Sequence, residues 1–461
     1  MDKTPFTGTH QERLEALRHR TLYAEDVPND NALPRGLNPL EFDNSFGTEG
    51  KCIFTVAGHN PVYASSIAPM RSDPSKYYVS IYEGLRLEPK NGYAAIMQMD
   101  ENGNVEGVPW EIKFHNDGYS MPMQTDERPD GRILVSGRQV SEVSPGLFEE
   151  NYYLSQLTKD GSMDMSFGIG GIFAIGAYMK SRLGANQWST RSCTLLPDGN
   201  IFLSGSAGFE DSPYHRAYLV RVKPDGTLDQ DFYVPGNPDR GYIEFTHPER
   251  RISLVGCTYS EKNNTFFTYG TTGYMPTPLF AARIKADGTV DTEFADRGFL
   301  DIQGDHDQGE PRESYAYHAL LSDNEEKLAL CGAHGRMNPS AAFAMLSQCG
   351  TDGKMDISFN KGKPVLQIID QPDPFDTWVN LAAQPDSDGK LLVTGWDLSS
   401  DVLGRYDKTG KLDTTFAGGG GIGVLVGGKF HPSEGSLFIQ PARALCAGSY
   451  SGRAAILAIK L

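Results

Sequence analysis

Short apolar runs recur along this chain, broken at regular intervals by tight polar turns. In the stretch that ends at Phe232, residues 191–196 alternate loosely, Pro197-Asp198-Gly199 reverses the chain, and 200–204 runs back. A longer polar loop leads to 217–222, the turn Pro224-Asp225-Gly226 and a fourth strand beginning Thr227-Leu228-Asp229. Asp-Gly between apolar runs predicts a two-residue hairpin, because both central positions need positive φ. The stretch ending at Phe416 repeats the plan, with predicted strands at 379–384, 390–394, 402–406 and 411–416.

The fourth predicted strand carries a recurring signature of apolar residue, Asp, two variable residues and Phe. It reads FDNSF at 42–46, MDMSF at 163–167, LDQDF at 228–232, VDTEF at 290–294, MDISF at 355–359 and LDTTF at 412–416. A degraded copy at 102–106 has Glu106 in the Asp position and lacks the Phe. The seven acidic positions stand 57 to 65 residues apart. Four short antiparallel strands per period describe a propeller blade. The predicted fold is all-β, a seven-bladed β-propeller of four-stranded antiparallel blades over residues 37–461. The chain stops at AAILAIKL (454–461), a third-strand match, so the missing fourth strand is sought around Phe42–Phe46. An N-terminal strand joining the C-terminal blade would close the ring.

Residues 1–36 form an N-terminal extension outside the repeat. Thr9-His10-Gln11-Glu12 has capping-box spacing before Leu14 and Leu17, which predicts a short helix over about 10–20.

The spacing of Pro-Asp-Gly, strand, loop, strand and Asp-Gly-x-Leu-Asp-x-x-Phe resembles the bacterial delta-60 repeat. The resemblance covers about 37–461 and implies a propeller. It brings no shared activity and no catalytic residues.

Composition narrows the partners. A net charge of −17 argues against nucleic acid, which needs clustered Lys and Arg. There is no run of eighteen apolar residues, so no membrane span is expected. The polar start lacks the apolar core of a secretory signal. The expected location is cytoplasmic, or outside the cell without a recognisable signal peptide. The six cysteines show no metal-binding spacing and read as small buried thiols.

Strand order places the tight turns on one face of the ring and the long loops (168–190, 232–250, 298–313 and 360–378) on the other. Aromatics stand on that loop face near the starts of inner strands: Trp188, Tyr315, Tyr317 and Trp378. Arg191, His318 and Asn380 lie beside them. Flat rings next to hydrogen-bonding groups suit sugars, although such rings also seal one blade against the next. Asp305, Asp307 and Glu310, with His306 and Glu313, form an oxygen-rich loop that is weakly suited to calcium. A solvated acidic loop is the preferred reading there, and no cofactor is otherwise expected. The repeated Asp and Phe read as structural staples. No GxSxG, HExxH or phosphate-loop motif is present. The expectation is a non-catalytic binding propeller presenting its loop face to a glycan or protein surface. The alternatives are an enzyme at the channel mouth, with His318, Arg191 and the loop around Asp305 as its groups, and a scaffold acting through its rim or residues 1–36.

Overall fold

The computed structural model describes residues 37–461 apart from 57–58, 60, 84–91, 115–117, 145–146, 177, 180–186, 210–211, 234–240, 274–276, 305–312, 323, 336–341, 370–375, 386, 397–399 and 426–429. The predicted helix over 10–20 therefore lies outside the described residues. Seven antiparallel sheets follow one another round a closed ring. Blade 1 is built from Val62–Pro69, Tyr77–Glu83, Ala94–Met99 and Val105–Glu111, and blade 2 from Tyr119–Glu127, Ile133–Ser144, Leu147–Leu157 and Ile172–Ala174. Blade 3 is Gln187–Leu195, Ile201–Phe209, Ser212–Val222 and Tyr242–Phe245. Blade 4 is Ile252–Ser260, Thr265–Thr272, Leu279–Lys285 and Phe299–Ile302. Blade 5 is Glu313–Ser322, Lys327–Gly335, Ala342–Gly350 and Val365–Gln367, and blade 6 is Thr377–Ala383, Leu391–Trp396, Asp401–Tyr406 and Ile422–Val424. Blade 7 takes Phe430–Gln440, Arg443–Tyr450 and Arg453–Lys460 from the end of the chain and Lys51–Ile53 from its start. First strands pack against each other at six of the seven blade junctions, which puts them on the inside of the ring.

An apolar layer fills each of the seven blade interfaces. Six of these layers receive one motif phenylalanine each: Phe46, Phe167, Phe232, Phe294, Phe359 and Phe416. The seventh, between blades 1 and 2, receives Trp110 instead. The turn glycine of the following blade lies against the ring. A Cβ on Gly103 would meet Phe46 at 3.0 Å, and one on Gly161 would meet Trp110 at 2.3 Å. Both glycines also hold φ near +82°, so the turn admits no side chain on either count.

The motif Asp ties the same corner to its own sheet. Oδ1 accepts the N–H and hydroxyl of the residue two further on, as in Asp356–Ser358 at 2.9 and 2.6 Å. Oδ2 takes a cation from the blade, as in Arg283–Asp291 at 2.8 Å and Lys390–Asp413 at 2.7 Å. Arg221, Arg283 and Arg405 lie over the motif rings of Phe232, Phe294 and Phe416 at 4.7, 5.5 and 4.7 Å. In the degraded copy Glu106 keeps the ion pair, with Lys76 at 2.7 Å. Blade 1 has therefore changed its residues and kept the ion pair and the ring against the turn glycine.

Two strand assignments need correction. The LDxxF stretch is a turn touching the third strand at single bridges such as Val222↔Leu228 and Tyr406↔Leu412, and the fourth strand begins after the Phe. Local side-chain capping by Asp competes with a strand ladder, which favours the turn. At the ring closure, likewise, the fourth strand of blade 7 is Lys51–Ile53, paired antiparallel with Arg453–Lys460. Phe42 only bridges Ile459. Ahead of it, Asn38–Pro39 adds in parallel to the outer strand of blade 6. The N-terminal segment thus binds two blades at once.

Every inner strand also shifts register once against its neighbour. In blades 2–7 the residue just before the shift faces a glycine on the second strand: Gly137, Gly205, Gly270, Gly332, Gly395 or Gly448. The bulge presses the inner backbone onto that glycine. A Cβ on Gly332 would lie 1.7 Å from the Tyr315 carbonyl oxygen. Blade 1 carries Ile81 at this place, opposite Ala64.

Candidate functional site

The loop face is where inner strands begin and second strands end. Trp188 and Arg191 sit on Gln187–Leu195, and Arg191 is the residue inserted at the bulge. Their side chains fall outside the described residues. Tyr315 is partly exposed on the inner strand of blade 5, and Tyr317 is the bulge residue there. His318 Nδ1 accepts the Leu381 N–H at 3.2 Å, so its ring joins blade 5 to blade 6.

Trp378 and Asn380 do not share a face. Trp378 is 0% exposed, in the layer between blades 5 and 6, edge-on to Tyr406 at 6.3 Å. Asn380 is equally buried, and its amide donates to Thr394 Oγ1 at 2.7 Å and to the Ser433 carbonyl of blade 7 at 2.9 Å. The bulge between them reverses the alternation that would otherwise align i and i+2. A fully buried indole offers no stacking face, so both residues are placed as parts of blade interfaces. Asp305, Asp307 and Glu310 lie outside the described residues. Among the described residues, no group of three or more His, Cys, Asp or Glu is placed to hold a metal.

A different constellation does come together on this face. Asp401 opens the third strand of blade 6 directly opposite Trp396, and Trp396 in turn faces Thr377. Directly opposed side chains lie on one side of a sheet, with Cβ atoms about 5 Å apart. Asp401 is buried, and its Oδ2 meets Nδ1 of His431, on the inner strand of blade 7, at 2.8 Å. Burial works against a charged imidazole, but the Asp401 hydrogen bond and charge prevail and hold the His431 pKa above its ordinary value. With Nδ1 committed to the carboxylate, Nε2 is the nitrogen left for a ligand. Trp396 and the His431 side chain are both partly exposed. None of these three residues recurs in other blades, so the repeat does not announce them. The nearest sequence signal is the place of Trp396 immediately after the bulge-facing Gly395.

A buried serine–histidine pair and the cysteines are sealed. Ser314 Oγ and His334 Nδ1 are 2.8 Å apart, the spacing of a nucleophile and its base, yet both residues are 0% exposed. The six cysteines are free and buried, and burial pushes the Cys52 thiol up to about 12. On the opposite face a cleft of about 550 Å³ opens between blades 5 and 6, lined by turn residues such as Asn324, Gln384 and Asp388. No described helix is long and apolar enough to cross a membrane.

Three solved structures show the range of similar chains. A Dyadobacter fermentans protein of unknown function is 14% identical, with a TM-score of 0.43, over 76% of this chain and 93% of that one. Drosophila Semaphorin 1a domains 1–2 are 8% identical, with a TM-score of 0.46, over 88% and 87%. A Pseudomonas aeruginosa periplasmic gluconolactonase is 13% identical, with a TM-score of 0.41, over 87% and 96%. No curated protein matches the sequence. One family matches residues 196–232 and 387–416, and its description is a β-propeller domain of unknown function (DUF5122). These are the two stretches in which the four-strand plan is clearest, and over them the chain is similar to a propeller repeat.

Proposed function

We propose that this protein is a delta-60-type propeller that works by binding and presents its loop face to a glycan. The observation that supports this reading is the division of labour between the two faces. On the turn face the recurring side chains are committed to staples between blades. The loop face carries Trp188, Tyr315 and Trp396 beside Arg191, His318 and His431, residues whose identity varies from blade to blade. The sealed Ser314–His334 pair weighs against a hydrolase built on those groups.

A glycan-array screen of the purified protein tests the proposal, with Trp188→Ala and Arg191→Ala alongside. Specific binding that either substitution removes would support it. A blank array with folded protein would overturn the glycan reading and move the assignment to a protein partner. Trp378→Ala is unsuited to this purpose, because deleting a buried indole disturbs the fold first.

A further inference from the structure

We propose that Trp396, Asp401 and His431 form a subsite for one neutral pyranose ring at the blade 6–blade 7 edge of the loop face. The inference rests on the loop-face binding reading and assigns it a place and a ligand class. Three features carry it. The first is a partly exposed indole, whose flat apolar face matches the C–H face of a sugar ring. The second is a histidine fixed by a buried carboxylate at 2.8 Å, which leaves Nε2 as a directed hydrogen-bonding group. The third is their register: Asp401 lies directly across from Trp396, so ring and imidazole flank one spot.

Charge selects the ligand class. The Asp401 carboxylate lies against His431 and balances any charge the imidazole carries, so the spot offers hydrogen bonds without attracting an anion. A neutral pyranose would place a C–H face on Trp396 and a hydroxyl on His431 Nε2. Asp401 is a positioning residue: it meets the ligand only through the imidazole. Thr377, opposite Trp396, is buried at the base of the same row.

The test uses the whole chain labelled with 15N-histidine and titrated with methyl glycosides of glucose, galactose and mannose. We expect at least one to shift His431 Nε2 saturably and to quench Trp396 fluorescence. Trp396→Ala and His431→Ala should each weaken that binding about tenfold or more, the loss of one good contact. Trp396→Phe should restore part of it, which separates stacking from mere folding. Asp401→Asn should weaken binding while changing the Nδ1 resonance, a signature that a purely structural residue would not give. If none of the three glycosides moves His431 although the array is positive, the subsite is wrong and the broader reading stands. A blank array together with an unmoved His431 overturns both.

Discussion

The two faces of the ring are built by opposite rules. On the turn face the blades repeat one corner, built from a capped Asp, a cation, a ring and in most cases a close glycine. Part of the corner survives even where its letters change, since in blade 1 Glu106–Lys76 keeps the ion pair and Trp110 keeps the ring against the glycine. On the loop face the same strands begin with residues that differ from blade to blade. What recurs from blade to blade holds the ring together, and what occurs once is free to recognise something. Function on such a scaffold is sought where the period falls silent.

The widest separation between the faces should appear in stability. Phe232 is 1% exposed, packs edge-on against Phe202 at 5.1 Å and lies under Arg221. Phe232→Ala is expected to cost about 3–5 kcal/mol, through lost burial and the cavity left behind. Trp396→Ala, at a partly exposed position, should cost about 1 kcal/mol or less. Denaturant midpoints with unchanged slopes would check both values. Equal losses would mean that the loop face is structural too, and would break the contrast.

The second largest effect belongs to the inner bulge. Gly332→Ala would set a methyl group 1.7 Å from the Tyr315 carbonyl oxygen, against the rigid backbone of the inner strand. The cost expected for such overpacking is about 1–3 kcal/mol. Ile81 shows that one blade accommodates a side chain at this place, so the companion variant is Ile81→Gly. It should be destabilising through lost burial rather than neutral. If Gly332→Ala left the midpoint unmoved, the bulge could relax, and the glycine would need another explanation.

That bulge also explains how far the sequence could be read. The Asp–Phe period exposed the seven-blade ring and its closure from both ends of the chain, because staples must recur at fixed spacing. Position within the blade was harder, since an Asp that caps its own backbone looks like a strand residue in a one-dimensional pattern. The loop face was least legible. Trp378 and Asn380 stand two apart, which aligns them on a regular strand, but the inserted Val379 sends one into blade 5 and the other towards blade 7. Trp396, Asp401 and His431 come from three strands of two blades, and neither spacing nor repetition connects them.

Acid should affect the turn face first. The Ser166 hydroxyl, with help from Gln156 and Arg132, holds the Asp164 pKa down at about 2, against an ordinary 3.8. Hydrogen bonds from Lys390 and Thr415 outweigh burial and hold Asp413 down as well. A depressed carboxylate stabilises the fold above its unfolded value, and that contribution disappears as pH falls through the folded value. For Asp164 the window runs from about 4 to about 2 and is worth about 2 kcal/mol. Asp164→Asn should therefore lower stability at neutral pH and flatten the acid limb of the unfolding profile. An acid limb identical to that of the parent would show that this corner contributes nothing.

The loop-face pair should respond with the opposite sign and the smallest amplitude. His431 is raised above 6.5 by Asp401, so its contribution is complete below that value and fades as pH rises through the folded pKa. With 39% of the imidazole exposed, solvent screening keeps the effect at about 1 kcal/mol or less, too small for denaturation alone to isolate. An NMR titration of the His431 ring resolves it directly. In the parent the midpoint should lie above 6.5. In Asp401→Asn it should fall below the parent value, because the burial that opposes the charge remains while the carboxylate that offsets it is gone. An unchanged midpoint would mean that Asp401 does not orient this ring, and the proposed subsite would lose the directed group that blade 6 holds in place on blade 7.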